Sequence, residues 1–342
     1  MNGNPESFGR TISTQREVGA RRFFLRWEWL LVLIFLAVNI MNSALSPYYF
    51  NLDTFLGTPA SFLDMAFLVL PMTFVIILGN IDISVASIVA LSAVVMAVAY
   101  NAGLPMPASM ALCLVVSTCC GLFNGFLMTR FKELSSVIVT LSTMIIYRGI
   151  AYVILQDQAA GNFPSWYSFL GWGGFGPVPF ILVAFAVCAV LFAILLHGTA
   201  FGRRVFGMGS NLTAARYSGV RTDSVIMTVS ALTGLMAGFT ALFLSSRMGS
   251  TRPNVASGYE LSVIAMVVLG GVSTAGGKGT IYGPLLAIFI VGFLNYGLGL
   301  VNTQAQVLLI IIGLLLILSV LALNVRITPR HKRPAAERDE KR

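Results

Sequence analysis

Residues that build active sites, metal centres and crosslinks are scarce in this sequence. Its 342 residues include only two histidines and four cysteines. All four cysteines lie inside apolar runs, and their spacing fits neither a zinc site nor a disulfide framework. Small buried apolar residues are the simpler interpretation. His197 and His331 are far apart and have no nucleophile beside them. The sequence therefore predicts no catalytic residue, no metal ligand and no enzyme activity.

Charge is also scarce, at 10% of residues, whereas 57% are hydrophobic and the mean hydropathy is +0.85. This excludes an ordinary soluble protein. The apolar residues form long runs, each close to the ~20 residues that a helix needs to cross a bilayer. We therefore expect an all-α polytopic membrane protein with about ten spans, at residues 28–45, 61–79, 84–100, 107–128, 135–155, 178–197, 224–245, 259–273, 281–300 and 305–324.

The net charge of +9 reflects where the basic residues lie. Loops 46–60, 101–106, 156–177 and 301–304 contain no Lys or Arg, whereas loops 129–134, 198–223 and 274–280 and both ends of the chain contain them. By the positive-inside rule, both termini are cytoplasmic, and only loop 246–258, with Arg247 and Arg252, departs from the rule. The excess of basic residues thus indicates membrane topology and not nucleic-acid binding.

This topology divides the chain into a cytoplasmic tail at 1–27, a transmembrane domain at 28–324 and a basic tail at 325–342. An uncleaved first span is expected, since a signal peptide has a shorter leader. Eight spans remain an alternative if the segments around Asp82 and Gly276 re-enter the membrane. Three aromatic residues in the outer loop are expected to anchor at the lipid headgroups, with sugar contact as the alternative: Trp166, Tyr167 and Trp172.

A polar segment, Phe201–Ser224, interrupts the apolar runs and carries Arg203, Arg204, Arg216 and Arg221 against the single Asp223. Ser210 or Asn211 can cap a short helix over 212–218, and Gly219 can end it. So short a helix is marginal alone in water, so it needs a surface on which to dock. A soluble partner is one interpretation of the segment, and attraction of its arginines to anionic lipid is the other.

Polar residues inside or beside the predicted spans have two interpretations each. Asp82 can cap the span that begins near Ser84, or it can belong to a substrate pathway. Arg148 can extend to the membrane surface or pair inside the bundle with a carboxylate or with carbonyls, and a structural ion pair is favoured. The uncharged residues can hydrogen-bond between helices or line a polar path: Asn124, Thr140, Ser142 and Thr143.

Two glycine-containing segments, Leu78–Ser87 and Leu269–Thr280, interrupt apolar runs in a similar way. Transporters built from repeated halves often break helices at corresponding positions near the substrate path. The glycines of interest are Gly79, Gly270, Gly271, Gly276 and Gly277. The second segment is not a phosphate-binding loop, because Gly279 follows Lys278 and Val272 stands where the first glycine belongs. The chain thus shows no nucleotide site of its own.

Four blocks of sequence carry a resemblance to a known family. In order, they are GNIDISVAS at 79–87, NGFL at 124–127 with VTLSTMIIYRG at 139–149, FGRRVFGMGSNLTAARYSGV at 201–220, and VVLGGVSTAGGKGTIYG at 267–283. Together they make the chain resemble the permeases of ribose-type bacterial ABC sugar importers. Departures from the usual pattern fall at Asn80, Ala86, Ser136, Val137 and Ser142. Residues 157–167 are most similar to rhamnose-type permeases, and autoinducer-2 permeases are close relatives.

The resemblance implies an inner-membrane subunit that pairs with itself or with a sister permease. Two cytoplasmic ATPases would bind ATP and magnesium, and a periplasmic binding protein would deliver a rhamnose- or ribose-like sugar. Residues expected to couple to the ATPase are Arg203, Gly209, Asn211, Ala214, Ala215, Arg216 and Gly219. Pathway or gating residues would be Asp82, Ser84, Asn124, Thr140, Thr143 and Arg148.

Two further hypotheses come from the charged residues. Arg247, Arg252 and Glu260 are expected to dock the binding protein, since positive charge outside opposes the topology rule and so suggests a use, and a loop without a docking role is the alternative. A rival class is a proton-coupled secondary transporter that needs no ATPase and uses Asp82 as its carboxylate.

Overall fold

The computed structural model describes residues 27–303, without the side chains of 28 and 52–54, and the single positions 307, 310, 311, 313, 314, 317 and 321. Both predicted tails and most of the predicted span 305–324 lie outside these residues. The described part is dominated by α-helices: α1 Trp27–Leu45, α2 Leu63–Ile77, α3 Val85–Asn101, α4 Met106–Arg130, α5 Ser136–Leu155, α6 Phe180–Ala193, α7 Ala200–Ser210, α8 Leu212–Tyr217, α9 Thr222–Met248, α10 Tyr259–Leu269 and α11 Tyr282–Leu300.

Shorter elements occupy the loops. The helix α6 continues into a π-helical turn, Ile194–Gly198. Short helical pieces lie at Leu52–Gly57, Thr58–Ser61, Ser165–Ser168 and Phe169–Trp172. Four two-residue strands form two antiparallel pairs, in which β1 Ala160–Gly161 pairs with β4 Ser250–Thr251, and β2 Gly174–Phe175 pairs with β3 Val178–Pro179.

The helices follow the predicted spans at 28–300, but not all are long enough to cross a membrane. Length and composition suffice for α4, α5, α6 with its π-helical turn, α9 and α11, and a sixth span results if 55–61 and α2, bent by 69°, are one broken span. The prediction of a span at 259–273 is wrong in length, because Gly270 and Gly271 end α10 at Leu269. Its 11 residues rise about 16 Å, roughly half of a bilayer core.

The centre of the bundle is built on close helix contacts. Helices α4 and α9 pack antiparallel through small residues, and a Cβ on Gly121 would lie only 2.8 Å from Gly234 Cα. Small residues let helix backbones approach closely in a membrane, where hydrophobic burial gives little drive for helix pairing. Helix α2 is buried along nearly its whole length. By contrast, α5 and α6 leave apolar side chains exposed, as expected for lipid-facing helices.

Contacts between loops agree with the predicted sides of the membrane. Lys132 in loop 129–134 forms a 3.1 Å ion pair with Asp223 at the end of the polar segment, and both were predicted inside. Strand β1 in loop 156–177 pairs with β4 in loop 246–258, and both were predicted outside. These contacts group the loops into two sides, as the topology prediction requires.

Candidate functional site

The two glycine-containing interruptions lie side by side. The N–H of Gly277 donates to the carbonyl oxygen of Ile77, at 2.8 Å, across the two breaks. A Cβ on Gly276 would lie 3.1 Å from Gly79 Cα. The breaks after α2 and after α10 therefore form one junction, which is the arrangement expected of helices broken at corresponding positions near a substrate path.

All five predicted break glycines belong to these interruptions. The backbone at Gly79 and Gly276 has φ values of 79° and 82°, a conformation that other residues adopt only under strain. Gly271 and Gly277 also have positive φ, at 87° and 72°. Gly270 keeps ordinary helical geometry, and the start of α11 packs against it so closely that a Cβ would contact Pro284 N.

The polar segment enters this junction through the last turn of α7. A Cβ on Gly209 would contact the carbonyl oxygen of Ile77 and would lie 2.6 Å from Gly277 N. Ser210 lies next to the same loop, with its Oγ 2.5 Å from the position of a Cβ on Gly277. The end of α7 thus touches both helix breaks with no free space between them, so displacement of α7 would be transmitted to both.

Helix α8 has the capped form predicted for it. The Asn211 side chain accepts a hydrogen bond from Ala214 N at 2.9 Å, and Gly219 follows the helix at φ 81°. Bonds from Gly219 N to Arg216 O and from Val220 N to Ala215 O complete the C-terminal cap. This short helix is fixed at both ends by its own sequence.

The predicted coupling residues divide between an exposed and a buried group. Arg203, Ala214 and Arg216 are exposed, and Arg216 Nε donates to Thr222 Oγ1 at 3.4 Å. Ala215 is buried, and Gly209 lies in the junction. Tyr217, which the sequence analysis passed over, is 90% exposed at the end of α8, and Leu212 is exposed at its beginning. An aromatic residue in the short helix predicted within the polar segment was the sequence signal that could have identified Tyr217 as a contact residue.

Helix α7, at Ala200–Ser210 ahead of α8, was not predicted from the sequence. Thr199 caps it by accepting a hydrogen bond from Gly202 N at 3.3 Å. Val205 and Met208 bury one face while Arg203 and Arg204 stay exposed. This amphipathic pattern was readable but was obscured by three glycines, which individually disfavour a helix.

A chain of buried hydrogen bonds surrounds the start of α3. Asp82 Oδ1 accepts from Ser84 N at 2.9 Å and from Ser84 Oγ at 2.6 Å. Asn124 Nδ2 donates to Ser84 Oγ at 2.7 Å, and the Tyr147 hydroxyl donates to Asn124 Oδ1 at 3.0 Å. Asp82, Ser84 and Asn124, all predicted, therefore belong to one network that connects α3, α4 and α5, and Tyr147 is its unpredicted member.

Side chains of α5 also form hydrogen bonds to the backbone of the break after α2. Thr140 Oγ1 accepts from Ile83 N at 3.2 Å, and Ser136 Oγ accepts from Ile81 N at 3.3 Å. Thr143 is buried but bonds to Thr140 O within its own helix. Asp82 orders the turn into α3 through Ser84 and does not bond the first helical amides, so its capping role is indirect. The cavity beside Asp82, about 10 Å³ in volume, has room for about one water molecule.

Arg148 binds carbonyl groups of loop 246–258, which was predicted to lie outside. Its Nη1 donates to Pro253 O at 2.6 Å and to Val255 O at 2.8 Å. The favoured ion pair is not formed, since the ion pairs among the described residues are Lys132–Asp223 and Arg247–Asp64. Two carbonyl oxygens can take the place of a carboxylate beside Arg148, because a guanidinium donates several hydrogen bonds in a fixed geometry.

The predicted docking residues differ in their surroundings. Arg247 Nη2 lies 2.7 Å from Asp64 Oδ2, and Arg247 Nη1 donates to Ser61 O at 2.6 Å. Asp64 is buried, so this arginine serves the bundle, a partner that the sequence analysis did not foresee. Arg252 is exposed, and Glu260 accepts from Gly258 N at 3.3 Å. Arg252 is therefore the arginine of this loop that is presented outward.

The outer aromatic residues also separate. Trp166 and Trp172 are exposed, and Trp172 Nε1 donates to Arg247 O at 2.9 Å. Tyr167 is only 1% exposed and donates its hydroxyl to Leu242 O at 2.8 Å. The expectation that Tyr167 anchors at the headgroups was wrong. The loop folds inward, and the Tyr167 hydroxyl is bonded to a backbone carbonyl of α9. In the described part of the chain, no three metal-binding side chains come together.

Comparison with known proteins assigns the class. The family model described as "Branched-chain amino acid transport system / permease component" matches residues 55–320. The chain belongs to this family. The match confirms the resemblance to importer permeases and, with the apolar helices, makes the protein a multi-pass membrane permease. The family description names amino-acid transport, so membership alone does not specify the substrate.

Individual relatives point to a narrower group. The autoinducer 2 import system permease protein LsrD of Salmonella paratyphi A is 30% identical over 305 residues, covering 87% of this chain and 92% of the relative. Its counterpart in Yersinia enterocolitica is 32% identical over 314 residues, covering 88% and 93%. That of Yersinia pestis strain Pestoides F is 32% identical over 316 residues, with the same coverage. No solved structure matches the chain significantly.

Proposed function

We propose that this permease is the membrane subunit of a bacterial ABC importer and moves a monosaccharide across the inner membrane by alternating access. The observation that carries the proposal is the polar segment, in which a capped helix, α8, follows directly on a turn wedged into both helix breaks. Such a segment can receive motion from a soluble partner and deliver it to the interrupted helices.

A partner ATPase supplies the energy in this proposal. The loop at 270–280 lacks the phosphate-binding pattern, and it serves the packing of the junction instead. ATP and magnesium would therefore be bound by cytoplasmic ATPase subunits docked on α8. The exposed Leu212 and Tyr217 offer apolar contact area there, with Arg203 and Arg216 as charged neighbours.

A second permease subunit completes the pathway in this proposal. The 10 Å³ space beside Asp82 is far too small for a sugar, which favours a path between two copies or between sister permeases. A periplasmic binding protein would deliver the substrate to the outer surface around Arg252. Rhamnose- and ribose-like sugars fit the sequence resemblance. Autoinducer 2 is the second candidate, favoured by the names of the relatives.

Reconstituted transport tests the energy source. Proteoliposomes that hold the permease, the ATPase and the binding protein should accumulate labelled sugar only when ATP is enclosed with the ATPase. Collapse of the proton gradient should leave the uptake unchanged. Uptake that survives removal of the ATPase but stops with the proton gradient would instead establish the secondary transporter that uses Asp82.

Substitution of Tyr217 tests the docking surface. Tyr217→Ala removes a large exposed side chain from α8, and we expect ATPase binding to weaken by about 10-fold or more, as for an aromatic residue central to an interface. Tyr48→Ala is the matched control, because Tyr48 is 80% exposed and lies in loop 46–60, which is predicted to face the other side of the membrane. Equal ATPase binding by the two variants, measured with purified subunits, would remove α8 from the proposed interface.

A further inference from the structure

A polar cavity opens beside α8, between α7 and the start of α9. Its volume is about 560 Å³, and its lining includes Arg204, Ser218, Arg221, Ser224 and Thr228. It is distinct from the junction at Gly209, which is filled by backbone. Its size is that of a small-molecule site, not of a packing defect.

The guanidinium groups of the two arginines of this cavity, Arg204 and Arg221, have no hydrogen bond and no ion pair within residues 27–303. The one carboxylate of the polar segment, on Asp223, pairs with Lys132 and accepts from Thr222 Oγ1. Two guanidinium groups on one hollow, with hydroxyl groups beside them, form a site for an anion with several oxygen atoms.

The position of the cavity relative to the membrane identifies the source of the anion. Its lining runs from Ser218 and Arg221 in the polar segment to Val225 and Thr228, which lie in the first turns of the predicted span 224–245. Phe201 gives it a further apolar wall. A site that is polar on the cytoplasmic side and apolar toward the bilayer matches a lipid, whose phosphate lies at this depth and whose acyl chains continue inward.

We propose that this cavity binds the phosphate headgroup of an anionic phospholipid from the cytoplasmic leaflet. Arg204 and Arg221 contact the phosphate oxygens, while Ser224 and Thr228 offer hydrogen bonds to the phosphate or its glycerol. The lipid then bridges α7 and α9, so the position of the segment that leads to α8 depends on membrane composition. The cavity shares Gly219 with the residues expected to couple to the ATPase, but lipid binding is measured without the ATPase, so the lipid proposal can fail while the proposed transport function stands.

Native mass spectrometry of the purified full-length chain, mixed with phosphatidylglycerol or phosphatidylcholine and without ATPase, tests the site. The wild-type chain should retain phosphatidylglycerol preferentially. The double variant Arg204→Gln with Arg221→Gln should bind it about 30-fold more weakly, since each basic residue at an anionic surface contributes a factor of about five. The matched control, Arg130→Gln with Arg203→Gln, removes the same charge from exposed positions outside the cavity, and should change binding less than threefold.

A second variant keeps the charge and fills the space. Thr228→Trp should also lower phosphatidylglycerol retention, and it tests the site if the double variant does not fold.

Equal loss of lipid binding in the control variant would overturn the proposal in favour of general charge attraction. Displacement of the lipid by millimolar inorganic phosphate, with tight phosphate binding in its place, would make it a small-anion site. Unchanged lipid retention in both cavity variants, together with lost ATPase binding, would assign the arginines to the ATPase.

Discussion

Tyr147 shows what a single side chain contributes to the junction. Its hydroxyl is shared between Asn124 Oδ1 and Cys120 O, both at 3.0 Å, and the residue is buried. Asn124, Ser84 and Asp82 were predictable because polar residues within apolar runs are conspicuous. Tyr147 was not, since a tyrosine is common in membrane helices and only the fold shows where its hydroxyl points.

Removal of that hydroxyl should loosen the network. Tyr147→Phe removes the hydroxyl that donates to Asn124 Oδ1 and Cys120 O. The free energy of unfolding should therefore fall by about 1–3 kcal/mol. Tyr152→Phe, on an exposed position of the same helix, should change it by less than about 0.5 kcal/mol. Thermal unfolding in detergent measures both. Equal midpoints for the two variants would show that the Tyr147 bonds do not contribute to stability.

Arg247 and Arg252 lie in one predicted outer loop, and sequence reasoning treated them alike. The structure separates them because Arg247 still belongs to the last turn of α9, where it reaches the buried Asp64 on α2. A pattern of charges along a loop cannot reveal such a long-range partner. The pair fixes the outer end of α9 to the bend at which α2 begins.

The two arginines should therefore respond differently to substitution. Arg247→Met removes the ion-pair partner of the buried Asp64 and leaves it only the 3.4 Å bond from the Tyr259 hydroxyl, which should cost roughly 3–5 kcal/mol of unfolding free energy. Arg252→Met should leave stability unchanged and should instead weaken stimulation of ATPase activity by the binding protein, increasingly at low salt. Thermal unfolding and ATPase assays on both variants distinguish these effects. If Arg247→Met were as stable as the wild type, the ion pair would have no structural role.

Among the elements, the long apolar helices and the caps of α8 were predictable from sequence, whereas α7 and the paired strands were not. Apolar runs and capping residues act locally, so their consequences can be read from short windows. Strands β1 and β4 are each two residues long, and the paired residues, Ala160 with Thr251 and Gly161 with Ser250, are at least 89 positions apart in the sequence. Their pairing depends on the packing of α9 against the outer loops, which no local pattern encodes.

The whole molecule has two sides, which labelling can establish directly. In a variant without its native cysteines, Tyr217→Cys and Arg252→Cys place thiols at exposed positions of the inner and outer loops. We expect a membrane-impermeant maleimide to label position 252 from the periplasmic side and position 217 only after the membrane is opened. Labelling of both positions from the same side would contradict the predicted orientation.

In the proposed mechanism, the polar segment moves the two helix breaks through the contacts of Gly209. Gly209→Ala puts a methyl group against Ile77 O and Gly277 N, whereas Gly207→Ala, in the same helix, meets nothing within 4 Å. The decisive measurement is the number of sugar molecules moved per ATP hydrolysed by the reconstituted complex. We predict a fall of about 10-fold or more for Gly209→Ala, with ATP hydrolysis retained, and a wild-type ratio for Gly207→Ala. The same ratio in both variants would show that the contacts of Gly209 do not couple ATP hydrolysis to transport.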